Sequence, residues 1–228
     1  MPVAIITGAS KGLGRALAGA LAALGWDLVL DARNAEALRE TAAELPTRVT
    51  AVPGDVADAR HRAELVAAAW RLGGVDLLVS NASALGAEPL VRLDGLPLEG
   101  LRRALEVNVV AALGLVQEAL PLLRAAREGA VIAVSSDAAA EAYETWGGYG
   151  ASKAALDQLV AVLGAEEPGL RVWAVDPGDM ATDLYAAAVP GDGDPRPDPA
   201  SVVPGFLRLL RERPASGRYT APALVEGR

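Results

Sequence analysis

The segment that decides the fold is Val3-Ala-Ile-Ile-Thr-Gly-Ala-Ser-Lys-Gly-Leu-Gly14. Its first half is a short apolar run, rich in β-branched residues, that suits a buried strand over residues 3–7. Its second half crowds glycines into a turn, and an Ala/Leu-rich helical pattern follows over 13–24. Glycine adopts backbone angles that a Cβ forbids, and its bare backbone lets an anion approach the free N–H groups at a helix start. Strand, glycine turn and helix in that order predict a phosphate cradle, with Gly8, Ser10, Lys11, Gly12, Leu13 and Gly14 as candidate contacts. A glycine cluster alone also serves ordinary tight turns; the position after the first strand carries the reading.

Outward from that segment the same alternation repeats. Strand-like runs at 28–32, 49–52, 77–80, 130–135 and 172–175, with a shorter one near Tyr219, alternate with helical patterns at 35–45, 60–72, 101–127, 149–163 and 202–211. Such βα alternation predicts an α/β fold, a doubly wound parallel sheet of about seven strands with helices on both faces. At 228 residues, the chain supports one sizeable core, and cutting it would leave two marginal domains, so 1–228 reads as a single domain. The strongest break in composition, VPGDGDPRPDP at 189–199, carries four prolines and reads as a loop.

Composition excludes several function classes. With 21 Lys+Arg against 29 Asp+Glu the formal charge is −8, which disfavours nucleic acid or an anionic membrane as a partner. There is no cysteine, so disulfides, thiolate catalysis and thiolate metal sites are excluded, and a single histidine builds no metal cluster. His61 lies far in sequence from every motif and reads as an exposed or packing residue. Met1 leads directly into the first strand, so no export is expected and a cytoplasmic setting is. The apolar run 104–123 is interrupted by Glu106, Asn108, Gln117 and Glu118 and reads as a buried helix too polar to span a bilayer.

Two further stretches bear chemistry. The end of the second strand, Leu30-Asp31-Ala32-Arg33-Asn34, lies beside an adenosine ribose in a doubly wound fold. An acid aimed at the ribose hydroxyls favours NAD, whereas an Arg pairs with a 2′-phosphate, so Asp31 and Arg33 point opposite ways. Tyr149 and Lys153, four apart at a helix start, share one face, and a nearby ammonium stabilises phenolate.

Taken together, the glycine turn, the Tyr/Lys pair and their spacing resemble the short-chain dehydrogenase/reductase family over nearly the whole chain. The family's T-G-x-x-x-G-x-G loop is matched by Thr7, Gly8, Gly12 and Gly14, its Y-x-x-x-K pair by Tyr149 and Lys153, its catalytic serine by Ser136 and its helix asparagine by Asn108. Asp55, beside Val56, resembles the acid that contacts adenine. Asn81 falls in the strand-four motif, written here Ser80-Asn81-Ala82-Ser83 and altered at two of four places. Pro177, Gly178 and Thr182 match the segment that contacts the nicotinamide end.

The resemblance implies a Rossmann-type NADP(H)-dependent oxidoreductase, NAD(H) being the alternative cofactor. It would move a hydride between nicotinamide and a carbonyl or secondary alcohol, and it needs no metal. Tyr149 would act as general acid/base and Ser136 would hold the substrate oxygen. Lys153 would bind the ribose and lower the tyrosine pKa, and Asn108 would fix a water behind Lys153. Lys11 and Arg33 resemble the basic positions of NADP-preferring members, with Asp31 turned to the other side of its strand. Tyr143, Trp146 and Tyr185 would flank the substrate mouth, residues 85–97 could add another wall, and 182–200 would form a short substrate loop. A homodimer or homotetramer is the family expectation. The rival reading is a noncatalytic NADP-binding sensor or scaffold of the same fold, which the complete catalytic set disfavours.

Overall fold

The computed structural model describes residues 1–227. Seven parallel strands form one sheet in the order β3-β2-β1-β4-β5-β6-β7: β1 Val3–Ile6, β2 Asp27–Ala32, β3 Val49–Pro53, β4 Leu77–Ser80, β5 Ala130–Val134, β6 Arg171–Asp176 and β7 Gly217–Thr220. The helices are α1 Gly12–Ala23, α2 Ala35–Ala43, α3 Ala59–Leu72, α4 Leu98–Leu105, α5 Ala111–Ala125, α6 Gly147–Glu166, α7 Asp183–Ala188, α8 Val203–Glu212 and α9 Ala221–Glu226.

The apolar strands have no polar face because both sides are covered. Side chains of a strand alternate, and here the alternation divides two cores. Ala4 and Ile6, Leu28 and Leu30, Leu77 and Val79, and Trp173 and Val175 pack with α1 and α8 on one side. Val3 and Ile5, Val29, Leu78, and Val172 and Ala174 pack with α3, α5 and α6 on the other. By the same period of two, Asp31 follows Val29 onto the α3 side and Ala32 falls in the α1 core.

Strand order reverses between β1 and β4, the switch point at which ligands bind beyond the carboxyl ends of doubly wound sheets. The helix expected over 101–127 begins earlier, at Leu98, and contains one π turn, Glu106–Val110, between α4 and α5. By length and composition alone Leu98–Ala125 would suffice to cross a membrane, an 18-residue window within it having mean hydropathy 1.4. Its place in the fold is nonetheless that of a core helix: Leu115, Val116, Ala119 and Leu123 are buried with β4, β5 and α3. Two short helices, α7 and α9, were not expected from the sequence.

Candidate active site

A cleft of about 1040 Å³ opens at the switch point. It is lined by every candidate site residue named from the sequence except Thr7, Gly14 and Asn108, which are buried behind it. Gly8 and Gly12 take left-handed angles, φ 66° and 55°. A Cβ on Gly8 would lie 2.9 Å from Asn81 Nδ2, and one on Gly14 would lie 2.4 Å from the Gly8 carbonyl oxygen, so both glycines serve close packing of turn against strand. Asn81 braces this turn rather than projecting from it, its amide donating to the carbonyls of Thr7 (2.8 Å) and Gly8 (3.2 Å). The backbone cradle, with the α1 N-terminus behind it, fits a pyrophosphate.

At the β2 end of the cleft, Arg33 is exposed on the wall beyond the strand. Asp55 already binds Arg103 (2.6 Å) and the Ala57 N–H (2.9 Å), and these bonds hold its carboxyl below the ordinary range against the opposing pull of burial. Lys11 reaches across the cleft to Asp183 on α7 at 2.7 Å, an exposed pair that joins the glycine turn to α7. Thr182 caps α7, accepting from the Tyr185 N–H, and its methyl faces Gly12.

The catalytic candidates converge at the other end. Ser136 ends β5 and caps a 3₁₀ turn, its Oγ accepting from the Ala138 N–H (3.2 Å) and donating to Asp137 (3.0 Å). Tyr149 and Lys153 are buried on α6, with the ammonium 5.5 Å from the phenol ring centroid and donating to the Val134 carbonyl at 2.8 Å. Burial governs both groups. It pushes the Tyr149 phenol up to about 12, opposite to the lowering expected from Lys153, and pushes the Lys153 ammonium down to about 8. Beside them the buried Ser135 hydroxyl, also on the cleft wall, has no hydrogen-bond partner among the described residues, as suits a group that meets a ligand.

Asn108 lies in the π turn with all four amide valences used. It donates to Ala84 O (2.9 Å) and Ser152 Oγ (2.8 Å), and accepts from the Ala84 N–H (2.8 Å) and Ser83 Oγ (3.1 Å). It therefore ties the β4 turn to α6 instead of lining the cleft. A π turn at such a junction is a recurrent feature of functional sites.

Three contributors escaped the sequence reading. Ser83, in the altered strand-four motif, links Asn108 to Tyr149, whose phenol its hydroxyl draws back downward. Arg218 on β7 donates to the Ser136 carbonyl (2.9 Å) and pairs with Asp157 (3.0 Å) and Asp176 (3.4 Å), fixing the β5 end. Arg196 folds the proline-rich loop back, bonding Asp192 and the Tyr185 hydroxyl, each at 2.7 Å, and stacking 4.9 Å over the Tyr185 ring. The mouth between them is apolar: Leu85, Ala138, Tyr149 and Ala188 cluster with Trp146 and Leu184, and Trp146 meets Tyr149 edge-on at 5.7 Å. Of the wall expected over 85–97, Leu85 lines the cleft.

A doubly wound sheet with a glycine-turn cradle and a Ser/Tyr/Lys cluster in one cleft defines a dinucleotide-dependent oxidoreductase. The chain belongs to the short chain dehydrogenase family, whose model matches residues 2–192. It is 32% identical over 227 residues to L-fucose dehydrogenase from Mus musculus, a match covering 98% of this chain and 80% of that protein. It is 34% identical over 225 residues to glycine betaine reductase ATRR from Emericella nidulans; that match covers 92% of this chain but 18% of the longer protein. A short chain dehydrogenase from Shigella flexneri, solved in complex with NADP, superposes with a TM-score of 0.89 at 27% identity, covering 97% of each chain. The family and these relatives make this chain an NAD(P)-dependent oxidoreductase.

Proposed function

We propose that the chain transfers hydride between NADP(H) and a carbonyl or secondary-alcohol carbon, with Tyr149 as the proton donor and acceptor. The observation that carries this reading is that Ser136, Tyr149 and Lys153 line the same cleft as the glycine cradle. The backbone of the glycine turn would hold the pyrophosphate, Arg33 and Lys11 a 2′-phosphate, Lys153 the nicotinamide ribose, and Pro177 to Thr182 the nicotinamide end. When bound, the nicotinamide supplies or accepts the hydride.

The protein's own groups handle the proton. A phenol held at about 12 is protonated at neutral pH, so Tyr149 is poised to donate to the oxygen of a carbonyl as it becomes an alkoxide. Ser136 Oγ would hydrogen-bond that oxygen, and Lys153, still largely charged at pH 7, would stabilise the phenolate left behind. Asn108 would act as a positioning residue by fixing the start of α6 through Ser152. The apolar mouth suits a carbonyl attached to a flat or aliphatic body.

The test is NADPH absorbance against a panel of ketones and aldehydes. Tyr149→Phe is expected to lower kcat by about 10²–10⁴ at unchanged NADPH affinity, the usual contribution of a positioned acid. Turnover equal to the parent's would overturn the assignment. Gly12→Val should abolish NADPH binding in calorimetry, and Arg33→Ala should weaken NADPH far more than NADH.

A further inference from the structure

His61 and Asp31 stand 30 residues apart, and the fold brings them together. His61 Nε2 lies 2.6 Å from Asp31 Oδ1, with side chains only 6% and 2% exposed. Its neighbours make room for it: a Cβ on Gly54 would lie 2.3 Å from His61 Nδ1, so glycine at that position admits the imidazole. The other Asp31 oxygen faces the Gly8 N–H at 3.4 Å, and its backbone carbonyl accepts from the Ala9 N–H at 2.8 Å. Asp31, Gly54 and Gly8 all border the cleft, and Asp31 lies two residues before Arg33. The pair is thus built into the wall against which the adenosine half of a cofactor would rest. Of the two readings of His61, exposed or packing, the fold realises the second: it is buried against Asp31, which in turn accepts from the glycine turn.

We propose that His61 and Asp31, housed by Gly54, form a proton-holding pair that sets selectivity for the 2′-phosphorylated cofactor: protonated, it favours NADPH, and deprotonated, it opposes it. This rests on the reading that the cleft binds NADP(H). With the proton, imidazolium and carboxylate cancel and Arg33 meets the 2′-phosphate unopposed. Without it, a net negative charge remains beside the glycine turn and repels the more highly charged cofactor.

The surroundings hold the proton. The Asp31 carboxylate, chiefly through its hydrogen bond, raises His61 above the ordinary histidine value against the opposing effect of burial, and Glu64 and Asp58 on α3 add to it. Burial likewise raises Asp31, with His61 and the Gly8 N–H opposing and Asp55 adding; Asp55 is in turn countered by Arg103 and Arg33. Both directions describe one pair that keeps its proton above the ordinary histidine range. Loss of that proton with rising pH is the switch.

The experiment is calorimetric titration of NADPH and NADH into the whole chain from pH 6.5 to 9, for the parent, Asp31→Asn and His61→Gln. His61 is the single histidine, so its ring C–H resonance reports the protonation of the pair directly. The expected result is that the ratio Kd(NADPH)/Kd(NADH) rises about five- to tenfold across the His61 titration, as one unit charge across several ångströms of wet cleft would give. Asp31→Asn should flatten the ratio at its low-pH value and His61→Gln at its high-pH value. The 2′-phosphate ionises near pH ~6 and strengthens NADPH binding as pH rises, so it does not imitate the effect. A ratio constant in the parent, or a slope retained in Asp31→Asn, overturns the inference while leaving NADP(H) binding intact. No NADPH binding at any pH overturns both.

Discussion

Ser83 is the residue whose role is most out of proportion to its appearance. Its hydroxyl turns its single proton either to Asn108 Oδ1, at 3.1 Å, or to the phenolate, and it is the one neighbour that draws the buried Tyr149 phenol downward, against desolvation and the charges of Asp137 and Asp176. In alcohol oxidation Tyr149 must lose its proton before it can act as base. Ser83→Ala should therefore move the rising limb of the kcat/KM profile for oxidation to higher pH, by about half to one unit, the scale of one hydrogen bond to a phenolate. NADPH affinity should stay as in the parent. An unmoved limb would mean that Ser83 acts only on Asn108. The sequence offered Tyr149 and Lys153 through their spacing along one helix, and Ser136 through the family resemblance that the glycine turn and that pair carry. Ser83 was hidden because it stands in a motif at an altered place, and its partner is presented by a π turn that no periodicity announces. The His61–Asp31 pair was hidden for a related reason: strand alternation gave the side of the sheet on which Asp31 falls, but not which residue of α3 waits there.

At the scale of elements, the strands were legible and the short helices were not. Four to six consecutive apolar residues state a buried strand without help, whereas α7 and α9, six residues each, offer too few turns for a period to show. The proline-rich loop after α7 did read as a loop, and its prolines explain why it forms no longer helix over the mouth. What it lacked in the sequence was its fastening. Arg196 joins Asp192 and Tyr185, approaches Asp179 at 3.4 Å, and the Pro197 carbonyl accepts from the Ala181 N–H, so the loop closes on α7. Arg196→Ala should release it. The expected signature is faster proteolytic nicking within 189–198 and a several-fold rise in KM for the carbonyl substrate, with NADPH affinity and the thermal midpoint little changed. Unaltered proteolysis would show that backbone and proline constraints alone hold the loop.

For the whole molecule, one conspicuous cost lies in the wall of the cleft, the Lys153 side chain with its ammonium, at 2% exposure. Burial lowers its pKa from 10.5 to about 8, so between those values the unfolded chain holds a proton that the folded chain has released. Stability must then rise with pH through that window and be lower below it. Tyr149 acts in the opposite sense further up: raised from 10.0 to about 12, it keeps a proton that the unfolded chain loses, and stability falls as pH climbs beyond 10. Lys153→Met removes the first effect and keeps the second. Relief of the buried charge at pH 7 is worth on the order of 3 kcal/mol, and the Val134 carbonyl left without its donor returns about 1 kcal/mol of that. Urea unfolding should thus find the variant about 2 kcal/mol more stable than the parent at pH 7, with the advantage gone by pH 10 and activity lost throughout. A gain independent of pH would trace to packing rather than charge. A loss at pH 7 would mean that the contacts of the ammonium outweigh its desolvation, and that the fold is stabilised by the same group the site requires.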